Sequence, residues 1–168
     1  QYFLYKNKEL FEHSIEKAVQ SKLFKRIILV IDNPKKVKKR YSKNIFIIKG
    51  GKERSDSSLI ALKKIKKYKP NNVLIHDAAR PNFSINLLKR IIKKLKNNSS
   101  IIPVFQPKDS LKYKVNKEIF NLKRENSYLT QTPQGFKFDK LYNLAIKEKN
   151  KYSDESTLFI NNNKKVKF

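Results

Sequence analysis

The 168-residue chain has no cysteine, no methionine and no tryptophan, only three glycines and two histidines, and 14 acidic residues against 40 lysines and arginines. Without cysteine there is no disulfide framework, no thiolate metal site and no cysteine nucleophile, which fits a reducing compartment. No Ser-His-Asp arrangement stands out either. No apolar run reaches the length of a membrane span or a signal core, so a soluble protein of the cytoplasm is expected. The absence of methionine, with a start at Gln1-Tyr2-Phe3 and an end at Lys167-Phe168, reads as an internal segment of a longer protein.

The formal net charge is +26, which suggests an anionic partner such as nucleic acid, acidic lipid or a phosphorylated metabolite. The excess is mostly lysine and comes with abundant asparagine and isoleucine, the residues of A/T-rich codons. The charge is therefore open to two readings, a binding stripe or solvated faces set by genomic bias. A basic nucleic-acid-binding module rests on charge alone, because no aromatic stacking strip, zinc pattern or recognition-helix signature accompanies it.

A chain of this length suits one domain. Phe11, Ile15, Ala18 and Val19 repeat at helical spacing, and Arg26–Ile31 is a short β-branched run closed by Asp32-Asn33-Pro34. The alternation continues with a polar helix-like stretch over Lys35–Tyr41, a strand at Ile45–Ile48, a helix over Ser55–Lys67, a strand at Asn72–Ile75, a helix over Ser84–Leu95 and a strand from Ile101 to Val104. Short apolar strands separated by helices predict an α/β fold, a doubly wound, mostly parallel sheet. Over 107–124 the pattern changes. Ser110–Val115 alternates polar and apolar like an exposed hairpin, which predicts a projecting β-arm. Beyond it, Phe138–Lys149 reads as a helix, and Ser153-Asp154-Glu155 as a capping residue followed by two first-turn acids.

In open α/β sheets ligands sit beyond the carboxyl ends of the strands. Three junctions there carry chemistry or serve as plain turns. Gly50-Gly51 let a backbone approach a ligand closely, or simply turn a strand into a helix. Asp77, after Val73-Leu74-Ile75-His76, is placed to hold Mg²⁺ against phosphate oxygens or to cap a helix, and Arg80 to grip an anion or make a surface ion pair. His76 reads best as a core imidazole, and Ala78 and Ala79 as clearance. Ser153-Asp154-Glu155-Ser156 is the third junction.

Gly50-Gly51-Lys52-Glu53-Arg54-Ser55-Asp56-Ser57, His76-Asp77-Ala78-Ala79-Arg80-Pro81, Gln131-Thr132-Pro133-Gln134 and Ser153-Asp154-Glu155 occur in one order across the chain. Together they resemble the 2-C-methyl-D-erythritol 4-phosphate cytidylyltransferase family. That resemblance implies a Rossmann-like nucleotidyltransferase fold and transfer of a cytidylyl group from CTP to methylerythritol phosphate with Mg²⁺. By position, Gly50, Gly51 and Ser57 would read cytosine, with Ala78 and Arg80 near the ribose. Asp77 would hold the metal or orient the polyol. Ser110 and Arg124, on the arm, would reach the methylerythritol phosphate of a neighbouring subunit in a homodimer, and Thr132 and Ser153 would complete that pocket. Asp77 and Arg124 are the groups expected to carry catalysis. Ser110 and Ser153 stand where the family commonly has threonine.

The family's glycine-rich CTP loop, its first strand and a late lysine-bearing strand have no counterpart here, so the 168 residues alone are expected to be nearly inactive. Ribitol 5-phosphate cytidylyltransferase shares the fold and a Gln-Thr-Pro-Gln segment. It tends to carry valine at the position of Ala79 and a different motif at Asp154-Glu155-Ser156, which favours methylerythritol phosphate.

Overall fold

The computed structural model describes residues 1–37 and 41–168. A tight hairpin, β1 (Leu4–Tyr5) and β2 (Lys8–Glu9), turns through Lys6 and Asn7 at positive φ and leads into α1 (Leu10–Gln20). A capping box starts this helix, with the Glu12 carboxylate accepting from the Glu9 N–H at 3.0 Å. Its apolar face buries Phe11 and Ile15 against Leu29 and Ile31 of β3 (Ile27–Ile31). The expected helix-like stretch after β3 is a single 3₁₀ turn at Pro34–Lys36, and residues 38–40 lie outside the described residues.

β3 runs parallel to β4 (Ile45–Lys49), from which Gly50-Gly51 leads into α2 (Arg54–Lys66). There follow β5 (Asn72–Ile75) and α3 (Ile85–Lys94), whose cap Ser84 accepts from Leu87 N–H at 3.1 Å. The strand expected over Ile101–Val104 is split into β6 (Ser100–Ile101) and β7 (Val104–Phe105), because Pro103 between them has no N–H to give a ladder. β8 (Leu111–Val115) and β9 (Glu118–Leu122) form an antiparallel hairpin within 107–124, turning at Asn116 with φ 53°. β10 (Leu129–Thr130) returns to pair with β7. Next come β11 (Gln134–Lys137), α4 (Phe138–Ala145) and α5 (Glu155–Asn161). The helix expected to Lys149 ends at Ala145.

β11 is the strand that the sequence does not announce. It lies antiparallel between β5 and β6, so those two run the same way as each other. Its side chains alternate between two covered faces, as pleating requires. Phe136 meets Phe159 of α5, with ring centroids 5.2 Å apart, in a core completed by Leu62, Phe138, Leu141 and Leu158. A Cβ on Gly135 would point the other way, into Ile91 of α3 and its C-cap Leu95. Helices therefore cover both faces, as the doubly wound reading requires. Full burial of each of these large apolar side chains contributes about 1.5–3 kcal/mol.

Candidate active site

The carboxyl end of β5 opens at His76 and Asp77, and polar groups from the starts of α2 and α5 converge there. Asp77 lies between two guanidinium groups: Arg54 Nε donates to Oδ1 at 3.3 Å, and Arg80 Nε stands 3.2 Å from Oδ2. The two arginines differ in freedom. Arg80 is 56% exposed and three residues along the same turn, whereas Arg54 is 34% exposed and anchored elsewhere. Its Nη1 and Nη2 donate to Glu155 Oε1 and Oε2 at 3.0 and 2.8 Å, and Ser58 Oγ donates to Oε1 at 2.6 Å.

The glycine pair works by close approach, since neither residue has positive φ. Gly50 N–H donates to Ile31 O at 2.8 Å, and a Cβ there would stand 2.7 Å from Ser57 Oγ. Gly51 N–H donates to Ser57 Oγ at 3.1 Å, and among the described residues the Ser57 proton and the Gly51 carbonyl have no hydrogen-bond partner. A Cβ on Gly51 would overlap Asp56, the residue that closes a capping box with Glu53. Gly51→Ala is therefore expected to destabilise the fold by about 1–3 kcal/mol through overpacking. Thermal melts check it; an unchanged melting temperature would refute it.

Thr132 sits just before β11, in a cis Thr132–Pro133 dipeptide, and shares its hydroxyl between two residues of the motif. It lies 2.9 Å from His76 Nδ1 and accepts from Asp77 N–H at 3.4 Å. His76 packs edge-on against Phe83, at 4.6 Å between centroids, and its Nε2 has no partner among the described residues. The imidazole is thus structural support, as expected, but only half satisfied. Burial pushes its pKa down to about 4, despite the opposing pull of Asp77. A folded pKa below the unfolded value near 6.5 means that the unfolded chain takes up the proton first. The stability held by neutral His76 is present above pH 6.5 and is lost as pH falls through 4, a loss of roughly 2–3 kcal/mol. His76→Asn should show a smaller drop in melting temperature between pH 7 and pH 4 than the unmodified protein; equal drops would contradict it.

Ser153 does not cap α5. Asp154 takes that place, its Oδ1 accepting from Ser156 and Thr157 N–H at 2.9 and 3.3 Å, and its Oδ2 accepting from Thr130 Oγ1 at 2.9 Å. The Asp154 carboxylate reaches two amides where a serine hydroxyl reaches one, and it also ties α5 to β10. Ser153 stands just outside, 3.5 Å from Thr157 Oγ1. Ala78 presents its carbonyl to Ser14 Oγ at 2.8 Å and packs against the α1–β3 core, so its small side chain faces inward. Ser110 and Arg124 lie together at the base of the arm, where Arg124 Nη1 donates to Lys108 O at 2.9 Å. No hydrogen bond or ion pair among the described residues links them to Asp77.

The expected Mg²⁺ does not fit Asp77 as a direct ligand. Both carboxylate oxygens already face guanidinium donors, and those two cations would repel a third. Among the described residues no group of three or more acidic or histidine side chains could hold a metal ion.

The matching family model, 2-C-methyl-D-erythritol 4-phosphate cytidylyltransferase, covers residues 1–167. The chain belongs to that family. It is 46% identical over 168 residues to a bifunctional IspD/IspF enzyme of Pelagibacter ubique, covering 99% of this chain and 45% of the relative. A 2-C-methyl-D-erythritol 4-phosphate cytidylyltransferase of Caldicellulosiruptor bescii is 36% identical over 148 residues, covering 84% of this chain and 66% of the relative. The chain thus spans less than half of one and about two thirds of the other. The crystal structure of the 4-diphosphocytidyl-2C-methyl-D-erythritol synthase of Anaerococcus prevotii matches with a TM-score of 0.87 at 28% identity, covering 98% of this chain and 77% of that one. The fold is accordingly the α/β, Rossmann-like nucleotidyltransferase fold of this family. Arg54 and Glu155 had no assigned role in the sequence reading, although both lie within quoted motifs. Their partners are 101 positions apart, and no local pattern marks such a pair.

Proposed function

We propose that this chain carries the transfer of a cytidylyl group from CTP to 2-C-methyl-D-erythritol 4-phosphate, with release of pyrophosphate, in isoprenoid biosynthesis. A phosphate oxygen of the polyol substrate attacks the α-phosphorus of CTP. The new P–O bond forms as the bond to the β-phosphate oxygen breaks, and the electron pair leaves on pyrophosphate. The protein's part is to place two polyanions and balance their charge. Any magnesium would come with the nucleotide and would supply neutralisation of phosphate charge.

The Gly51 carbonyl and Ser57 hydroxyl face the base, and Ala78 and Arg80 adjoin the ribose. Arg80, exposed on a flexible stem, can leave Asp77 for an anion, while Asp77 turns to the polyol hydroxyls beside Thr132 and Ser153. Ser110 and Arg124 act on the site of a second subunit. The arm supports this homodimer: Tyr113, Val115, Ile119, Phe120 and Leu122 are all exposed on the hairpin, an apolar surface of the kind that marks a contact. No helix among the described residues is long and apolar enough to cross a membrane, and the reaction belongs in the cytoplasm.

The observation that carries the reading is the Arg54–Asp77–Arg80 array at the end of β5, in a chain that the family model matches over 1–167. The test is a coupled pyrophosphate-release assay on the gene's full product, with CTP and either methylerythritol phosphate or ribitol 5-phosphate. The expected result is a kcat/KM at least about 100-fold higher for methylerythritol phosphate. Preference for ribitol 5-phosphate, or release with neither, would overturn it.

A further inference from the structure

We propose that Glu155 is a positioning residue for the acceptor half of this reaction, fixing Arg54 and, through Arg54, the carboxylate of Asp77. The inference rests on the cytidylyl-transfer reading and adds to it a residue that touches no substrate.

Glu155 has a side-chain exposure of 0%. A buried carboxylate is costly to desolvate, and an apolar side chain of similar volume would fill the space at least as stably. What an apolar residue could not supply is direction. The guanidinium is a rigid planar fork. Docked on both oxygens of Glu155 through one N–H of Nη1 and one of Nη2, at 3.0 and 2.8 Å, it keeps three of its five N–H groups, and the one at Nε meets Asp77 Oδ1 at 3.3 Å. The orientation of the buried pair thus dictates where the fixed positive charge stands beside Asp77. Among the described residues the other oxygen meets exposed Arg80 alone, so Asp77 has one fixed anchor and one that can be released.

The pair is also separable from the scaffold that holds it. The start of α2 has its own capping box between Glu53 and Asp56, and the start of α5 has Asp154. Losing the Glu155 charge leaves both helix starts and the Gly51–Ser57 contact in place. The damage should therefore fall on the Asp77 side, the polyol phosphate, and spare the nucleotide side.

The test uses the gene's full product, unmodified and as Glu155→Gln, Arg54→Lys and Ser58→Ala, with calorimetric binding of methylerythritol phosphate and of CTP beside thermal melts. Glutamine keeps the shape without the charge. Lysine keeps the charge without the fork, and serves if the glutamine variant does not fold. Both should weaken methylerythritol phosphate binding by about tenfold or more, the effect of a small misplacement of a binding group, while CTP affinity stays within about twofold, as for independent sites. Ser58→Ala removes a buried hydrogen bond to the same carboxylate but leaves the fork docked, so its melting temperature should fall while binding of both ligands holds.

Equal weakening of both ligands in the glutamine and lysine variants, or a lower melting temperature with no change in binding, overturns the proposal. An unmodified protein that binds no methylerythritol phosphate refutes the underlying functional reading instead. The NMR resonance of the Asp77 carboxyl carbon, compared between the unmodified protein and Glu155→Gln, then decides the positioning claim: a displaced resonance supports it and an unchanged one overturns it.

Discussion

Asp77→Asn in the gene's full product is expected to lower kcat/KM for the proposed transfer to methylerythritol phosphate by about 10²–10³-fold, the usual loss when one positioned charge partner is removed from an electrostatic site. The physical reason lies in the two guanidinium groups beside it. A unit charge about 4 Å away interacts by about 4 kcal/mol at the effective dielectric of a protein surface. The Arg80 share is smaller, since that side chain is 56% exposed and screened by water. Asparagine has the size of aspartate but no charge, and its amide N–H₂ must face one of two donors. Arg54 would stay docked on Glu155, and Arg80 would be freed. The fold should barely register the change, because the Asp77 side chain is 31% exposed and its replacement removes no packing. Kinetics with each substrate varied in turn, beside a thermal melt, tests this. A variant with unaltered kcat/KM would remove Asp77 from the reaction, and one with a collapsed melting temperature would make it a structural residue.

The second large effect concerns stability. Gly135→Ala is expected to destabilise the fold by about 2–3 kcal/mol, which for a domain of this size lowers the melting temperature by roughly 5–10 °C. A Cβ there would overlap Ile91 Cγ2 and stand 3.0 Å from Leu95 Cδ1, and both partners are buried, Ile91 within α3 and Leu95 as its C-cap. Isoleucine in a helix has one strongly preferred χ1 rotamer, so its methyl has nowhere to retreat. The helix cannot shift either while Leu88 and Leu95 are fully packed. Calorimetry or circular dichroism on the gene's full product measures the loss. Ile91→Ala placed in the Gly135→Ala background should restore part of it, because the two changes share one space. A Gly135→Ala protein that melts with the unmodified one would show that α3 yields.

Where the sequence was legible, the reason was local. Ile27–Ile31 and Ile45–Lys49 are β-branched runs, and the Phe11–Ile15 spacing puts one face of α1 inward; both are properties of neighbouring residues. β11 escaped because Gln134-Gly135-Phe136-Lys137 carries a single large apolar side chain and a glycine, a composition that does not favour a strand. Its strand form comes from pairing with β5 on one side and β6 on the other. The α5 cap was misplaced by one residue, since Ser153 and Asp154 are both good caps and the contact with Thr130 separates them only in three dimensions. At the site, Asp77, Arg80 and the glycine pair were visible as residues at strand ends, while Thr132 was marked only by the family resemblance.

The sequence by itself determined the alternation of strands and helices, the places where polar groups end a strand, and, through the order of its motifs, the family. Only the tertiary structure decided how Asp77 is used. Its carboxylate meets Arg54 and Arg54 meets Glu155, and those residues come from three helix and strand ends that chain distance does not connect. Charges interact through space and through the surroundings that screen them, so a carboxylate's partners become known only when the packing that brings them together is known.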